Sequence, residues 1–132
     1  ICFPKDPWSR LSFESELHNP LSCFLTAKSE ETGKIIGYGG VWFLYDVGNI
    51  TKLAVHPEYR REGIGRRVLG ALISACQDRK MTAVTLEVRR SNLAAQKLYA
   101  SEGFISCGIR KRYYQGVEDA VIMTKEWNLT NE

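Results

Sequence analysis

The feature that most constrains this chain is a glycine-spaced turn that separates a strand pattern from a helix pattern. The turn, RREGIG at 60–65, follows the strand-like run ITKLAVH at 50–56. After it, apolar residues recur at helical spacing in IGRRVLGALISACQDR, which predicts a helix over 64–79. The residues on its apolar face are Ile64, Val68, Leu69, Leu72, Ile73 and Cys76.

A glycine turn at the start of a helix is a typical anion site. The first helical N–H groups have no partner within the helix, and the helix dipole places positive charge beside them. Arg60, Arg61, Arg66 and Arg67 flank the turn and are suited to surround a pyrophosphate. The spacing matches neither GxxxxGK followed by Ser or Thr nor GxGxxG, which argues against a nucleoside triphosphate loop and a Rossmann dinucleotide site. The local residues leave a second interpretation open, in which the arginines are solvated and the glycines serve only the turn.

The remaining patterns predict an α+β fold with a mixed, mainly antiparallel central sheet flanked by helices. Strands are predicted at 22–29, 35–46, 50–56, 83–88, 104–114 and 119–127, the last two as a pair. Helices are predicted at 6–20, 64–79 and 91–103. Turns are predicted at 31–34 and at VGN, 47–49.

Caps and glycines refine these elements. The first helix is expected to begin at Ser9 and to end at Asn19-Pro20, and the last to begin at Ser91 or Asn92 and to end at Gly103. Glycines within the second strand indicate a β-bulge or a close approach of another backbone; they are Gly37, Gly39 and Gly40.

Composition narrows the class of protein. With 132 residues, 44% of them hydrophobic and 25% charged, the chain is expected to form one domain, 1–132, with its own core. A net charge of +3 permits an anionic ligand without requiring nucleic acid. The two histidines and four scattered cysteines contain no metal-ligand cluster, and we expect reduced thiols and a cytoplasmic protein. No apolar run is long enough to span a membrane, and no signal peptide is recognisable.

The turn and its neighbours resemble a known family. LAVHPEYRREGIGRRVLGAL resembles the acetyl-CoA motif of the GNAT superfamily of N-acetyltransferases, whose three fixed positions are met by Arg60, Gly63 and Gly65. LEVRRSNLAAQKLYASEGF and IRKRYYQGVEDAVIM resemble the RimI type, the ribosomal-protein alanine N-acetyltransferases. The resemblance covers nearly the whole chain. It implies a GNAT fold in which acetyl-CoA lies in a V-shaped opening between two neighbouring central strands, and no metal is required.

The resemblance also implies which residues bind the cofactor. The strand whose backbone pairs with the pantetheine arm is matched by Leu53, Ala54 and Val55. The loop that takes the pyrophosphate is matched by Arg61, Glu62, Gly63, Ile64, Gly65 and Arg66, with Arg60 opening the motif. Asn92 matches a cofactor contact at a helix start. Family members begin with a further strand, and because ICFPKDPWS enters partway through that region, we expect this strand to be missing here.

Two further matches concern the reaction. Glu87 in LEVR matches the family's general base, and Tyr99 in KLYASEGF its general acid. Alternation along 83–88 places Glu87 on the opposite face from the larger apolar side chains, and a carboxylate on a buried strand is costly unless it is paired or used. The alternative is a structural role for Glu87, either facing solvent or in a salt bridge to Arg89 or Lys97.

Asn92 and Tyr99 are seven residues apart, so on one helix they point the same way. The cofactor is expected to run along that face, although a plain N-cap and a core aromatic are the structural alternatives. Glu87 is expected to take the proton of the amine and Tyr99 to protonate the thiolate, with the Val55 N–H polarising the thioester carbonyl. No cysteine lies beside a histidine in the sequence, which favours direct attack over an acetyl-enzyme.

The acceptor is expected to be the N-terminus of a protein, one resembling an alanine-starting ribosomal protein. Tyr113 and Tyr114 are expected to wall the peptide slot, and Glu118 or Asp119 to orient their hairpin; the alternative is a strand edge protected by Lys and Arg. Two other functions stay open. One is acetylation of a small amine or a lysine, and the other is non-catalytic RNA binding through basic residues, although no direct nucleic-acid or membrane partner is expected.

Overall fold

The computed structural model describes residues 11–15, 21–59, 63–114 and 118–127. The described residues form seven strands in one sheet and two α-helices. In chain order they are β1 (Leu11–Ser15), β2 (Ser22–Ser29), β3 (Ile35–Leu44), β4 (Val47–Val55), α1 (Ile64–Asp78), β5 (Ala83–Arg89), α2 (Leu93–Ser101), β6 (Ile105–Tyr114) and β7 (Glu118–Glu126). A short 3-10 turn at Pro57–Tyr59 links β4 to the glycine turn. The predicted α+β class is confirmed.

The strands lie in the order β1-β2-β3-β4-β5-β7-β6. Every neighbouring pair is antiparallel except β4 and β5, which are parallel. The mixed, mainly antiparallel sheet is therefore as predicted, and so is the pairing of the last two strands. The parallel pair is short, with Val47, Gly48 and Asn49 opposite Ala83, Val84 and Thr85. Both strands continue beyond this register, and the described residues contain no further β4–β5 pair, so the sheet opens between them.

A β-bulge in β4 lies where the two strands separate. Val41 of β3 pairs with Ile50 and Gly40 pairs with Lys52, which leaves Thr51 as the extra residue. A bulge bends its strand and increases the local twist, which accounts for β4 leaving β5 at this point. The glycines of the second strand had predicted a bulge or a close approach; here the extra residue belongs to β4, and Gly37, Gly39 and Gly40 keep their partners in that strand.

Helix α1 packs over β3 and β4 at their glycines. A Cβ on Gly39 would lie 2.7 Å from Leu72 Cδ1, and one on Gly37 would lie 3.4 Å from Val68 Cγ2. The six residues predicted for the apolar face of α1 are its buried residues. They belong to one core cluster that continues under β2, β5 and β7.

The predicted first helix is wrong where the structure describes it. Leu11–Ser15 is a strand, and it pairs antiparallel with β2 from Leu11 opposite Ser29 to Ser15 opposite Leu25. In LSFE, 11–14, apolar and polar residues alternate, which is the period of a strand, but four residues are too few to distinguish this period from a helical one. Pairing with β2 and packing of Phe13 against the core decide for the strand. Ser9 and Asn19-Pro20 lie outside the described residues.

The turn predicted at VGN, 47–49, is also wrong. The chain turns at Tyr45 and Asp46, where Tyr45 adopts φ 58 and is fully exposed, and the VGN residues begin β4. Gly48 serves packing rather than a turn, because a Cβ there would lie 2.4 Å from Cys76 Sγ and 3.2 Å from Val41 Cγ2. Sequence alone does not distinguish a glycine required by a facing helix from one required by a turn.

Gly48→Ala is expected to lower the free energy of unfolding by about 1–3 kcal/mol, because the new methyl group overlaps Cys76. Gly70→Ala is the matched control: Gly70 lies within α1 with open space around its Cα, so alanine should stabilise by about 0.5–1 kcal/mol. Urea titration of both variants measures the difference. A Gly48→Ala protein as stable as wild type would contradict this packing, whereas partial recovery in Gly48→Ala/Cys76→Ala would support it.

Candidate active site

The opening between β4 and β5 holds three connected cavities. The strand-side cavity, about 470 Å³, is lined by Asn49, Ile50, Thr51, Thr85, Leu86, Glu87, Arg110 and Ile122. The throat, about 220 Å³, is lined by Ile50, Thr51, Lys52, Leu53, Leu86, Glu87, Val88, Arg89, Asn92 and Tyr99. The helix-side cavity, about 640 Å³, is lined by Leu53, Ala54, Val55, Tyr59, Gly63, Gly65, Arg66, Asn92, Ala94, Ala95, Leu98 and Tyr99.

The three cavities adjoin one another through shared lining residues, and we call the three together the passage. The throat shares Glu87 and Leu86 with the strand-side cavity, and it shares Asn92, Tyr99 and Leu53 with the helix-side cavity. The throat therefore adjoins both outer cavities. Tyr99 and Glu87, which sequence analysis selected for proton transfer, both line this meeting point.

The helix-side cavity gathers most residues predicted to bind the cofactor. They are Leu53, Ala54, Val55, Gly63, Gly65, Arg66 and Asn92. Ile64 differs, because its side chain is buried in the core beneath α1 and only its backbone belongs to the turn. Arg60, Arg61 and Glu62 lie outside the described residues.

The start of α1 has the geometry of an anion site. Gly63 is the N-cap with φ 79, a left-handed conformation that favours glycine, and it has no side chain to accept from the first N–H groups of the helix. Gly65 leaves the cavity open, since a Cβ there would face Val55 and Leu98 at 3.5 and 3.8 Å. The first turn of α1 thus points N–H donors and the positive end of the helix dipole toward the helix-side cavity.

Arg66 lines this cavity, but its guanidinium is bound to residues at the end of α2. Its Nη1 donates to Ser101 Oγ at 3.0 Å and forms an ion pair with the Glu102 carboxylate, both at the end of α2. The pair joins the start of α1 to the end of α2. A pyrophosphate contact for Arg66 stays a prediction.

Asn92 and Tyr99 lie on the same side of α2, as their spacing predicted. Asn92 is the N-cap, with Oδ1 accepting from Ala95 N at 3.1 Å, and both residues line the throat and the helix-side cavity. The ring of Tyr99 is buried and packs against Phe104 with centroids 5.8 Å apart. Asn92 therefore serves as an N-cap and Tyr99 as a buried core aromatic, and both residues also line the throat.

Glu87 reaches both the throat and the strand-side cavity, and 23% of its side chain is exposed. Arg110 of β6 holds it: Nε donates to Glu87 Oε2 at 2.8 Å, and Nη2 lies 2.6 Å from the same oxygen. Sequence analysis did not identify this partner and named Arg89 or Lys97 instead. Arg89 pairs with Glu118 at 3.2 Å. The pairing of β5, β7 and β6 brings Arg110 to Glu87, and no local pattern reveals that pairing.

The loop after β5 is fastened to the start of β7. Glu118 Oε2 accepts from Ser91 N at 2.8 Å, and Asp119 Oδ2 lies 3.3 Å from Arg90 Nη1 and 3.8 Å from Lys111 Nζ. Both acidic residues thus connect the β6–β7 hairpin to the segment that starts α2. The side chains of Tyr113 and Tyr114, predicted to wall a peptide slot, lie outside the described part of the chain.

Glu118 gives this connection a pH dependence. Hydrogen bonds from Ser91, with a smaller effect of Arg89, lower the pKa of Glu118 below its ordinary value. Because the pKa of Glu118 is lower in the folded protein than in the unfolded chain, its ionised carboxylate stabilises the fold at pH values above the unfolded pKa. This stability is lost as the pH falls through the pKa of the folded protein. We expect Glu118→Gln to lower the melting temperature near pH 7 and the difference from wild type to shrink toward about pH 3. A difference of the same size at both pH values would contradict this.

Among the residues that the structure describes, no cysteine lines the opening between β4 and β5. Cys23, Cys76 and Cys107 are free thiols, and none of them lines the three cavities. Burial raises the pKa of the Cys76 thiol to about 11, which keeps it protonated near neutral pH.

Among the described residues no group of three His, Cys, Asp or Glu is placed to hold a metal ion. No described helix is both long and apolar enough to cross a membrane.

Comparison with known proteins agrees with this geometry. The chain matches the acetyltransferase (GNAT) family over residues 1–104. A Bacillus subtilis protein that is provisionally named ribosomal protein bS18-alanine N-acetyltransferase is 39% identical over 128 residues, 96% of this chain and 82% of that protein. The Escherichia coli enzyme of this name is 38% identical over 120 residues, 89% of this chain and 79% of its own length.

The fold is shared as well. A crystal structure of the ribosomal-protein-S18-alanine N-acetyltransferase from Escherichia coli superposes with a TM-score of 0.78 at 33% identity, covering 87% of this chain and 75% of that one. The predicted GNAT fold, with a strand opening beside the glycine turn, is confirmed. From its sequence, its sheet and its family match, the chain belongs to the acetyltransferase (GNAT) family and is an acetyl-CoA-dependent N-acetyltransferase.

Proposed function

We propose that this protein acetylates the α-amine of a protein N-terminus, in the cytoplasm, with an alanine-starting ribosomal protein as its natural substrate. One observation carries the proposal: Glu87 and Tyr99 both line the throat, which shares residues with each of the two outer cavities. The names of the Bacillus subtilis and Escherichia coli relatives supply the acceptor, since both specify alanine of ribosomal protein bS18.

The helix-side cavity is suited to acetyl-CoA, which supplies a thioester-activated acetyl group. N–H groups at the start of α1 face the pyrophosphate, aided by the predicted Arg60, Arg61 and Glu62 segment. The β4 backbone from Leu53 to Val55 lies beside the pantetheine arm, and the Val55 N–H polarises the thioester carbonyl. Asn92 borders the arm where it enters the throat.

The strand-side cavity receives the acceptor. It is partly polar, with Asn49, Thr51 and Thr85 along its wall, and this suits the polar N-terminus of a peptide with a small first residue such as alanine. Tyr113 and Tyr114, the residues predicted to wall the peptide, belong to β6, the strand that also carries Arg110 of the cavity wall. The acceptor enters on the opposite side of the throat from the cofactor, so both substrates bind before reaction and the amine attacks directly.

Glu87 takes the proton from the attacking amine, directly or through a water. A free α-amino group has a pKa of about 8, so near neutral pH a modest base suffices. Tyr99, on the other wall of the throat, donates a proton to the departing thiolate. The two roles are separated in space, as proton transfer to and from two different atoms requires.

Peptide acetylation tests the proposal. We expect acetyl transfer from acetyl-CoA to a short peptide with N-terminal alanine, followed by mass and by thiol release, to exceed transfer to an N-blocked peptide with one lysine by at least about tenfold. The reason is that lysine, with a pKa near 10.4, is far less deprotonated than an α-amine at neutral pH.

Three results would redirect the proposal. Preference for the N-blocked lysine peptide, or for a small polyamine, would keep the enzyme and change the acceptor. Transfer to the N-terminal peptide only when it begins with residues other than alanine would change the substrate class. Binding of RNA with a steep salt dependence and no peptide acetylation would favour the non-catalytic alternative.

A further inference from the structure

We propose that Arg110 is a positioning residue for acetyl transfer, which holds the Glu87 carboxylate at the throat and offsets its negative charge. The inference rests on Glu87 as the proton acceptor proposed above. Both guanidinium contacts, at 2.8 and 2.6 Å, converge on one carboxylate oxygen, Oε2. A planar guanidinium that binds through two nitrogens fixes orientation as well as distance.

A bulge in β6 places Arg110 on the face where Glu87 lies. Ser106 pairs with Met123 and Gly108 pairs with Ile122, so Cys107 is an extra residue. Because strand side chains alternate, an uninterrupted β6 would turn Arg110 to the other face of the sheet. The extra residue reverses this, and Arg110 lies opposite Ala120 on the same face as Glu87. Bulges near active sites often redirect a side chain in this way.

Stability alone does not account for this ion pair. The Arg110 side chain is 54% exposed, and exposed ion pairs contribute little to folding. The same strand carries Lys111 on its other face, 77% exposed and 3.8 Å from Asp119. Arg110 is distinguished from Lys111 by its place on the wall of the strand-side cavity, where the acceptor amine must approach Glu87.

The charge of Arg110 also bears on the protonation of the acceptor. An uncompensated carboxylate beside an amine stabilises the ammonium form, which cannot attack. Among the described residues that line the strand-side cavity and the throat, the titratable and charged groups besides Glu87 are Lys52 from β4, Arg89 from β5, Tyr99 from α2 and Arg110 from β6. Arg89 is engaged by Glu118, whereas Arg110 contacts the carboxylate itself. Arg110 therefore keeps Glu87 oriented at the throat while preventing the carboxylate from holding the amine as a tight ammonium pair.

The test compares Arg110→Gln, Arg110→Lys and the control Lys111→Gln with the alanine-starting peptide. We expect Arg110→Gln to lower kcat about 10- to 100-fold near pH 7, with an unchanged or lower KM for the peptide and an unchanged Kd for acetyl-CoA. The deficit should shrink near pH 9, where the α-amine loses its proton unaided. Arg110→Lys, which keeps the charge but not the two-nitrogen contact, should be intermediate, and Lys111→Gln should match wild type.

A binding measurement completes the test without turnover. With CoA present, calorimetry should show Arg110→Gln binding the peptide several-fold more tightly than wild type near pH 7, because its freed carboxylate pairs with the ammonium. Wild-type kcat in Arg110→Gln, or a deficit that is equal at both pH values and accompanied by weaker acetyl-CoA binding, would overturn the proposal. If the variant does not fold, Arg110→Lys decides by the same two readouts.

Failure of the proposed function is recognised separately. If wild type acetylates only the N-blocked lysine peptide, the acceptor is wrong, and the Arg110 variants are compared on that peptide instead. If Glu87→Gln keeps wild-type activity, Glu87 is not the base; the proposal for Arg110 then fails with it, whatever the acceptor.

Discussion

Glu87→Gln is expected to lower kcat for acetyl transfer to the alanine-starting peptide by about 10²- to 10⁴-fold near pH 7, the range found when a general base is removed. The amide keeps the size of the side chain and can still accept from Arg110, so the throat should keep its shape. The deficit should decrease above about pH 8, because the free α-amine then needs no base. The measurement is a pH series of initial rates for wild type and variant.

Glu14→Gln is the matched control for this variant. Glu14 also lies on a strand in an ion pair, with Lys28 at 3.4 Å, but it belongs to β1 at the far edge of the sheet. It should leave the rates unchanged. A deficit in Glu87→Gln that does not vary with pH would assign Glu87 to binding or orientation of the acceptor rather than to proton transfer.

Tyr99→Phe is expected to lower kcat on the order of 10²-fold while the Kd for acetyl-CoA stays within about twofold. The ring remains packed on Phe104 and keeps the wall of the throat, so only the hydroxyl is lost. Without that donor, the thiolate must leave unprotonated or take its proton from water. Single-turnover kinetics with calorimetric binding of acetyl-CoA separate the two quantities.

Tyr38→Phe provides the comparison for Tyr99→Phe. Tyr38 stands on β3, partly exposed, and its ring lies 5.7 Å from that of Phe24, away from the passage. Its loss of a hydroxyl should change neither kcat nor Kd. If Tyr99→Phe weakened acetyl-CoA binding as much as it lowered kcat, the hydroxyl would belong to binding, and the general acid would have to be sought elsewhere in the throat.

Local sequence patterns correctly predicted the elements whose pattern lies entirely within one segment of the chain. The apolar face of α1 was correct to the residue, because six residues at helical spacing over fifteen positions leave no other period. The cap of α2 was correct because Asn92 bonds within its own first turn. The alignment of Asn92 with Tyr99 followed from helical geometry and required no tertiary contact.

The errors arose where a signal was short or had two meanings. The short run Leu11–Ser15, in which only the first four residues alternate, is compatible with either period, and its pairing with β2 decides for the strand. Gly48 has the sequence context of a turn glycine, but in the structure Cys76 of α1 occupies the space above it. In both cases the deciding contact comes from a segment distant in sequence, so propensity alone leaves the choice open.

By itself the sequence determined the family, the α+β class, the helix faces and the residues Glu87 and Tyr99 as candidates for proton transfer, because motifs and periods are properties of single segments. The tertiary structure decided how these candidates meet. The bulge at Thr51 separates β4 from β5, and the bulge at Cys107 turns Arg110 toward Glu87 across β7. Strand register and bulges depend on pairing between segments distant in sequence, so only the assembled sheet fixes the passage and the partner of its carboxylate.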